Sequence, residues 1–190
     1  MDRTLNHTGI ELSEERLTRL CQQTDEKAQR MLYDRYANQM FRVCYRYIKR
    51  EEDTEDVVAN GFIKVFLNIN RFEYRGKGSL NGWIKRIMIN ESLMFLRKRN
   101  PLSQAIDTAD VQIKDTFQCD QELLAQDIYK LVRKLPKGYR TVFNMYVIDG
   151  YTHREIADHL NVSENTSKSQ LSKARAHLRK MLEKYGIKNE

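Results

Sequence analysis

The sequence predicts an all-α protein built from two small helical domains. An N-terminal helical bundle and a C-terminal four-helix domain with a helix-turn-helix are joined by a flexible linker. Three observations carry this prediction. Apolar residues recur at three-to-four spacing through most of the chain, and strand-like alternation is scarce. Only two prolines occur in 190 residues, Pro101 and Pro136, so the first hundred positions hold no helix breaker of that kind. Between the helical stretches, residues 101–120 lose all periodicity, and Asp107, Asp110, Asp115 and Asp120 stand against a lone Lys114. Such a segment reads as an acidic tether. The domains are accordingly drawn at residues 12–100 and 121–186.

The first helix is expected from Ser13 to Gln22, with Leu17, Leu20 and Cys21 inward. Ala28, Met31, Leu32, Tyr36, Met40, Val43, Cys44, Tyr47 and Ile48 then form the apolar face of a long helix. The acidic run Glu51-Glu52-Asp53-Thr54-Glu55-Asp56 opens a third, with Asp53 as its cap and acids suited to the helix dipole. Its inner face is Val57, Val58, Phe62, Val65 and Phe66. Gly61 lies inside this helix at a propensity cost of about 1 kcal/mol, which points to close approach by another helix.

Residues 68–78 read as a loop in which Phe72 and Tyr74 alternate with Arg71, Arg75 and Lys77. Ser79 caps the next helix, whose apolar face is Leu80, Trp83, Ile84, Ile87, Met88, Met94 and Phe95. It ends in Arg97-Lys98-Arg99, and Asn100-Pro101 stops it. Helices resume over 121–135, break at Leu135-Pro136-Lys137-Gly138, and run from about Tyr139 to a glycine-type stop at Asp149-Gly150. Thr152 and Glu155 form a capping box that starts a short helix through Leu160, with Ile156, Ala157 and Leu160 inward. Asn161-Val162 makes the turn. Ser163 caps a final helix to about Tyr185, with Thr166, Leu171, Ala174, Leu178 and Leu182 inward. A short helix, a tight turn and a longer polar-faced helix make a helix-turn-helix.

Charge gives the first functional direction. Lys and Arg number 33 against 26 Asp and Glu, a net +7. A basic surface favours polyanions. Eight basic residues and two acids fall between Arg71 and Arg99, and the last domain carries Arg154, Lys168, Lys173, Arg175, Arg179, Lys180 and Lys184. Two basic modules on an acidic tether suit two contacts on one polyanion; the plain alternative is a pair of solvated faces. Tyr74, outside any apolar stripe, is the candidate for stacking on an unpaired base, whereas the spacing of Trp83 suits the core. On the last helix, Asn165, Ser167, Lys168, Gln170, Ser172 and Lys173 are expected on the solvent side, where they would read base edges and hold phosphates.

Several classes are excluded. With 41 % hydrophobic and 31 % charged residues the chain is an ordinary globular protein rather than a disordered one. No apolar run approaches the ~20 residues of a membrane span, and the first residues lack the apolar core of a signal peptide, so a cytoplasmic location is expected. Cys21, Cys44 and Cys119 have no paired spacing, and His7, His153, His159 and His177 have no ligand spacing, so neither metal nor disulfide framework is expected. No nucleophile–base pair and no phosphate-binding glycine loop stands out. We expect no cofactor, no small-molecule substrate and no enzymatic activity.

Three stretches carry a family resemblance: Asp53-Thr54-Glu55-Asp56-Val57-Val58 through Phe62-Ile63-Lys64-Val65-Phe66; Tyr74-Arg75-Gly76-Lys77-Gly78-Ser79-Leu80 with Gly82-Trp83-Ile84-Lys85-Arg86-Ile87; and Leu135-Pro136-Lys137-Gly138-Tyr139-Arg140 through Gly150-Tyr151-Thr152-His153-Arg154-Glu155-Ile156-Ala157 to Ser167-Lys168-Ser169-Gln170-Leu171. In this order and spacing the chain resembles a bacterial RNA polymerase sigma factor of the extracytoplasmic-function (ECF) group, over about residues 12–100 and 121–184. The resemblance implies a transcription initiation factor that binds core RNA polymerase, at the clamp of its largest subunit and at its flap, and directs it to promoter DNA. It implies that Asp53, Glu55, Asp56, Asn60 and Phe62 dock on the clamp. Tyr74, Arg75, Lys77, Lys85, Arg86, Asn90 and Arg97 would open the −10 element, with Tyr74 and Asn90 lining a pocket for an extruded base. Thr152, Arg154, Ser163, Asn165, Thr166, Ser167, Lys168, Gln170 and Lys173 would read the −35 element. Regulation by an anti-sigma factor is a further implication. One departure concerns the docking helix: Ala59-Asn60 stands where the family usually has Gln-Glu or Gln-Asp, so docking is expected to be weaker or to rest on the acidic first turn. Another is Asn165, where glycine is common. The rival readings are a helix-turn-helix regulator without polymerase docking and an RNA-binding helical protein.

Overall fold

The computed structural model describes residues 12–99 and 125–184. The expected linker and Cys119 lie outside the described residues. Among those described, every regular element is helical. They divide into two compact units, with the boundary between Phe95 and Leu96.

The first unit contains α1 (Glu14–Gln22), α2 (Glu26–Ile48), α3 (Glu51–Asn68), a 3-10 turn (Ile69–Arg71) and all but the last four residues of α4 (Ser79–Arg99). The Ser13 side chain caps α1 by accepting from the amide of Arg16, and Asp25 caps α2 by accepting from that of Ala28. Thr24 and Lys49, with φ of 59° and 75°, make the sharp reversals before α2 and after it. Asp53 is not the cap of α3: the helix begins two residues earlier, with Arg50 at the cap position and no side-chain cap bond. Thr54, fully buried, donates its hydroxyl to the Arg50 carbonyl at 2.6 Å instead.

α2 packs along α3, and α1 lies against α2 and the 3-10 turn. Leu17, Leu32, Met40, Tyr47, Ile69, Leu80, Ile84 and Met88 are fully buried there. Each such aliphatic side chain removed from water contributes about 1.5–3 kcal/mol. A Cβ at Gly61 would collide with the Met88 sulfur, so the space beside this glycine is filled by the tip of a side chain from α4 rather than by a closely approaching helix backbone. The inner stripe of α4 runs Leu80, Ile84, Met88, Ile89, Ser92, Leu93 and Leu96. Met94, expected inward, is instead 49 % exposed, because Ile89 and Leu93 fill the positions facing the core. Burial pushes the thiols of Cys21 and Cys44 up to about 11, so both are inert packing groups at neutral pH.

The second unit contains α5 (Ala125–Lys134), α6 (Lys137–Phe143) continued by a wider π-type turn (Asn144–Ile148), α7 (His153–Leu160) and α8 (Glu164–Lys184). Leu131, Val132, Leu135, Tyr139, Ala174, Leu178 and Met181 form one cluster, with Phe143 and Leu182 against it. Arg140 is buried beside the break at Pro136; its Nη1 donates to the Leu135 carbonyl at 3.1 Å. Burial, then Arg133, lowers its pKa to about 10, which still leaves the guanidinium charged at neutral pH. Gly150, at φ 76°, ends the π-type turn. The Thr152–Glu155 capping box is formed in both directions. Asn161 takes the left-handed conformation at φ 55°, and the amide of Val162 closes on the Ala157 carbonyl. Ser163 accepts from the amide of Thr166 at 3.0 Å, and α8 follows.

Candidate nucleic-acid interface and docking face

In the second unit, α7 and α8 form the helix-turn-helix. Ile156, Ala157 and Leu160 point inward from α7, as expected. On α8 the inner stripe is Ser167, Gln170, Leu171, Ala174, Leu178 and Met181. Ser167 and Gln170, expected on the solvent side, are therefore buried, at 0 % and 3 % exposure. They sit four residues before Leu171 and Ala174, so three-to-four spacing carries them onto the packed face despite their polarity. Thr166 and Leu182 are half-buried flank positions, and Met181 takes the inward place assigned to Leu182.

The exposed face of α8 is Asn165, Lys168, Ser169, Ser172 and Lys173. Ser169 was absent from the expected set; the same spacing, read outward from Asn165, would have supplied it. Thr152, Arg154 and Ser163 are exposed beside this face. Nδ1 of His153 lies 2.9 Å from the Ser167 hydroxyl, while its ring stacks on Tyr146 at a centroid distance of 4.4 Å. Desolvation, and secondarily Lys168 and Arg175, lowers the His153 pKa from its usual value, with Glu164 opposing.

In the first unit, the loop after the 3-10 turn carries Tyr74 half-buried and Arg75 and Lys77 exposed. Gly76 and Gly78 have φ of 112° and 88°, a region L side chains avoid. Ser79 begins α4, but its hydroxyl reaches back to accept from the amide of Arg75 at 3.2 Å. Phe72 packs on Trp83 with ring centroids 4.9 Å apart, which accounts for Trp83 as a half-buried packing residue. Along α4, Lys85 and Asn90 are half-buried and Arg86 and Arg97 exposed. The amide oxygen of Asn90 is shielded from solvent and accepts no hydrogen bond.

The outer face of α3 begins with acids. Glu55 and Asp56 are exposed, and Asp53 is half-buried with Arg50 at 3.7 Å. Ala59 and Asn60 follow, exposed. Phe62, expected among the docking residues, is 2 % exposed and packed between Tyr33 and Phe66 at centroid distances of 4.7 and 6.2 Å, so it belongs to the core. The outer stripe continues instead through Ile63 and Leu67, 56 % and 75 % exposed. The i, i+4 ladder from Glu55 and Ala59 leads to them, a signal available in the sequence.

A helix-turn-helix with a polar, basic outer face, on one chain with a second helical unit rich in surface base, defines a DNA-binding protein of transcription. Residues 32–101 match the family model for sigma-70 region 2, and residues 125–178 match that for sigma-70 region 4. The chain is 27 % identical to the ECF RNA polymerase sigma-E factor of Haemophilus influenzae over 87 % of this chain and 93 % of that one. It is 28 % identical to the ECF RNA polymerase sigma factor SigW of Bacillus subtilis over 83 % and 90 %. Among solved structures it resembles the sigma factor RpoE of Bartonella quintana, crystallised with the anti-sigma factor NepR, at a TM-score of 0.50, 22 % identity and coverage of 81 % and 96 %. The chain belongs to the sigma-70 family, as an ECF sigma factor.

Among the described residues no helix is long and apolar enough to cross a membrane, and no group of three or more His, Cys, Asp or Glu is arranged to hold a metal.

Proposed function

We propose that this protein joins core RNA polymerase and directs it to particular promoters, working in the cytoplasm without a reaction of its own. The observation that supports this most is the order of two matches on one chain, region 2 ahead of region 4. In this reading the outer face of α3 docks on the polymerase. Its acidic start, Asp53, Glu55 and Asp56, meets a basic surface, and the exposed Ile63 and Leu67 supply apolar contact beyond Ala59 and Asn60.

The loop with Tyr74, Arg75 and Lys77, and the α4 residues Lys85, Arg86, Asn90 and Arg97, would hold the opened −10 strand. Opening a few base pairs costs several kcal/mol, and capture of an extruded base by a stacking ring and a hydrogen-bonding amide offsets much of it. Thr152, Arg154, Ser163, Asn165, Lys168 and Lys173 would contact the −35 duplex, with Thr166 at the edge of that contact. Ser167 and Gln170 would support the reading helix from behind. An anti-sigma factor covering these faces fits the same reading, since the related Bartonella quintana protein was crystallised with one.

Run-off transcription with core polymerase on candidate promoters tests the proposal. Initiation that depends on the added protein is expected. Equal initiation without it, together with no complex on co-purification, would leave a helix-turn-helix regulator as the better reading.

A further inference from the structure

The loop that carries Tyr74 is held at both ends by a single short helix. Gln22, the last residue of α1, uses its side-chain amide to donate to the carbonyls of Ile69 at 3.1 Å and Phe72 at 2.9 Å. Glu14, the first residue of α1, accepts from the backbone amide of Gly78 at 2.6 Å. The nine residues of α1 set these anchors about 12 Å apart, at 1.5 Å rise per residue. The helix itself is fixed to α2: the Tyr36 hydroxyl donates to the other Glu14 oxygen at 2.8 Å, and Arg35 donates to the Leu12 carbonyl at 2.8 Å. Residues 73–77 therefore span a gap whose width a rigid helix sets.

Loops are ordinarily among the softer parts of a fold. Here the positive-φ turn at Gly76 and Gly78 is closed by a side-chain oxygen of Glu14, an acceptor that an amide oxygen also supplies. We propose that α1 positions the strand-capture loop, with Glu14 and Gln22 fixing how Tyr74, Arg75 and Lys77 are presented to the opened −10 strand. This rests on the promoter-opening role assigned above. Glu14 and Gln22 are positioning residues and touch no DNA.

The test uses the full chain with core polymerase and a promoter from which the wild-type protein initiates, carrying 2-aminopurine in the non-template strand of the −10 segment. The variants are Glu14→Ala, Gln22→Ala, the two combined, and Glu14→Gln. Fluorescence reports opening, and titration reports polymerase affinity. In the double variant opening is expected to fall about tenfold, while polymerase affinity and binding to −35 duplex stay within about twofold. Glu14→Gln keeps an acceptor for the Gly78 amide and stays within about twofold of wild type.

Hydrogen exchange of the Gly78 amide in the free protein reads the tether without DNA, and should quicken about tenfold in Glu14→Ala. A folded double variant that opens the promoter like wild type overturns the proposal. So does a Glu14→Gln variant as impaired as the alanine variant, or a loss of opening matched by loss of polymerase binding. Should the double variant fail to fold, Gln22→Ala carries the same comparison. If the wild-type protein gives no opening signal, the promoter-opening role fails and the proposal with it; that result is visible before any variant is compared.

Discussion

Nδ1 of His153 stands 2.9 Å from the hydroxyl of Ser167, joining the first residue of α7 to the first turn of α8. The contact crosses the helix-turn-helix at the end where α8 begins. Ser167 is fully buried and Tyr146 stacks on the face of the imidazole, so the histidine is held by a ring on its face and a hydroxyl at its edge. This bond ties α7 to the helix that carries Asn165, Lys168 and Lys173.

Ser167→Ala should weaken −35 duplex binding by about fivefold, in step with the ~1 kcal/mol of a lost hydrogen bond. His153→Asn, whose short amide reaches the Nδ1 position, should recover most of the affinity lost in His153→Ala. Fluorescence anisotropy on a −35 duplex reads both. No difference between the asparagine and alanine variants would count against the bond as an orienting contact.

Folding stability should decline in acid through the same histidine. Its folded pKa is depressed below 6.5, chiefly by desolvation and then by Lys168 and Arg175, with Glu164 pulling the other way. The unfolded chain then takes up the proton more readily than the folded one. Stability from this group is complete above the ordinary histidine value and is lost as pH falls from there toward the folded pKa. Thermal melting of wild type against His153→Asn across that interval should show a steeper acid loss in wild type; parallel curves would exclude the histidine as the cause.

Gly61→Ala should destabilise the first unit. Alanine favours a helix interior by about 1 kcal/mol, but overpacking costs about 1–3 kcal/mol, and the added methyl meets the buried Met88 sulfur. Shortening Met88 in the same chain should make the pair of changes cost less than their sum. Urea unfolding of the two single variants and the double gives that coupling directly.

Asn60→Glu should raise affinity for core polymerase. The position is exposed and continues the acidic line from Glu55 and Asp56, so a further carboxylate extends the same charge without disturbing packing. A gain of about threefold at low salt, shrinking as salt rises, is the expected signature. Phe62→Ala should behave differently, losing about 3–5 kcal/mol of stability because its ring lies in the core. An affinity unmoved by Asn60→Glu would place docking elsewhere than on the α3 face.

The helices were legible because their faces are strongly patterned and their ends carry recognisable signals. Thr152–Glu155 closed as a capping box, Ser163 capped α8, and Gly61 marked a helix contact. At a few places residue chemistry and helical position point in opposite directions. Ser167 and Gln170 looked like surface residues because they are polar, yet their spacing from Leu171 and Ala174 puts them inside. Met94 looked like core because it is apolar, yet Ile89 and Leu93 occupy the inward places. Phe62 shares the inward stripe of Val58 and Val65, and its 2 % exposure puts its ring in the core. The α1 tethers were illegible for another reason: Glu14 and Gly78 are 64 positions apart and Gln22 and Phe72 are 50 apart, and only the folded chain brings each pair together.

Engineers who wish to retarget this protein would naturally transplant the outward residues of α8 onto a different sigma scaffold. The buried hydroxyl at Ser167 makes that operation incomplete. A recipient lacking an imidazole opposite it would leave that hydroxyl without its partner across the two helices. A workable chimera therefore exchanges His153, Tyr146 and α8 as one cassette.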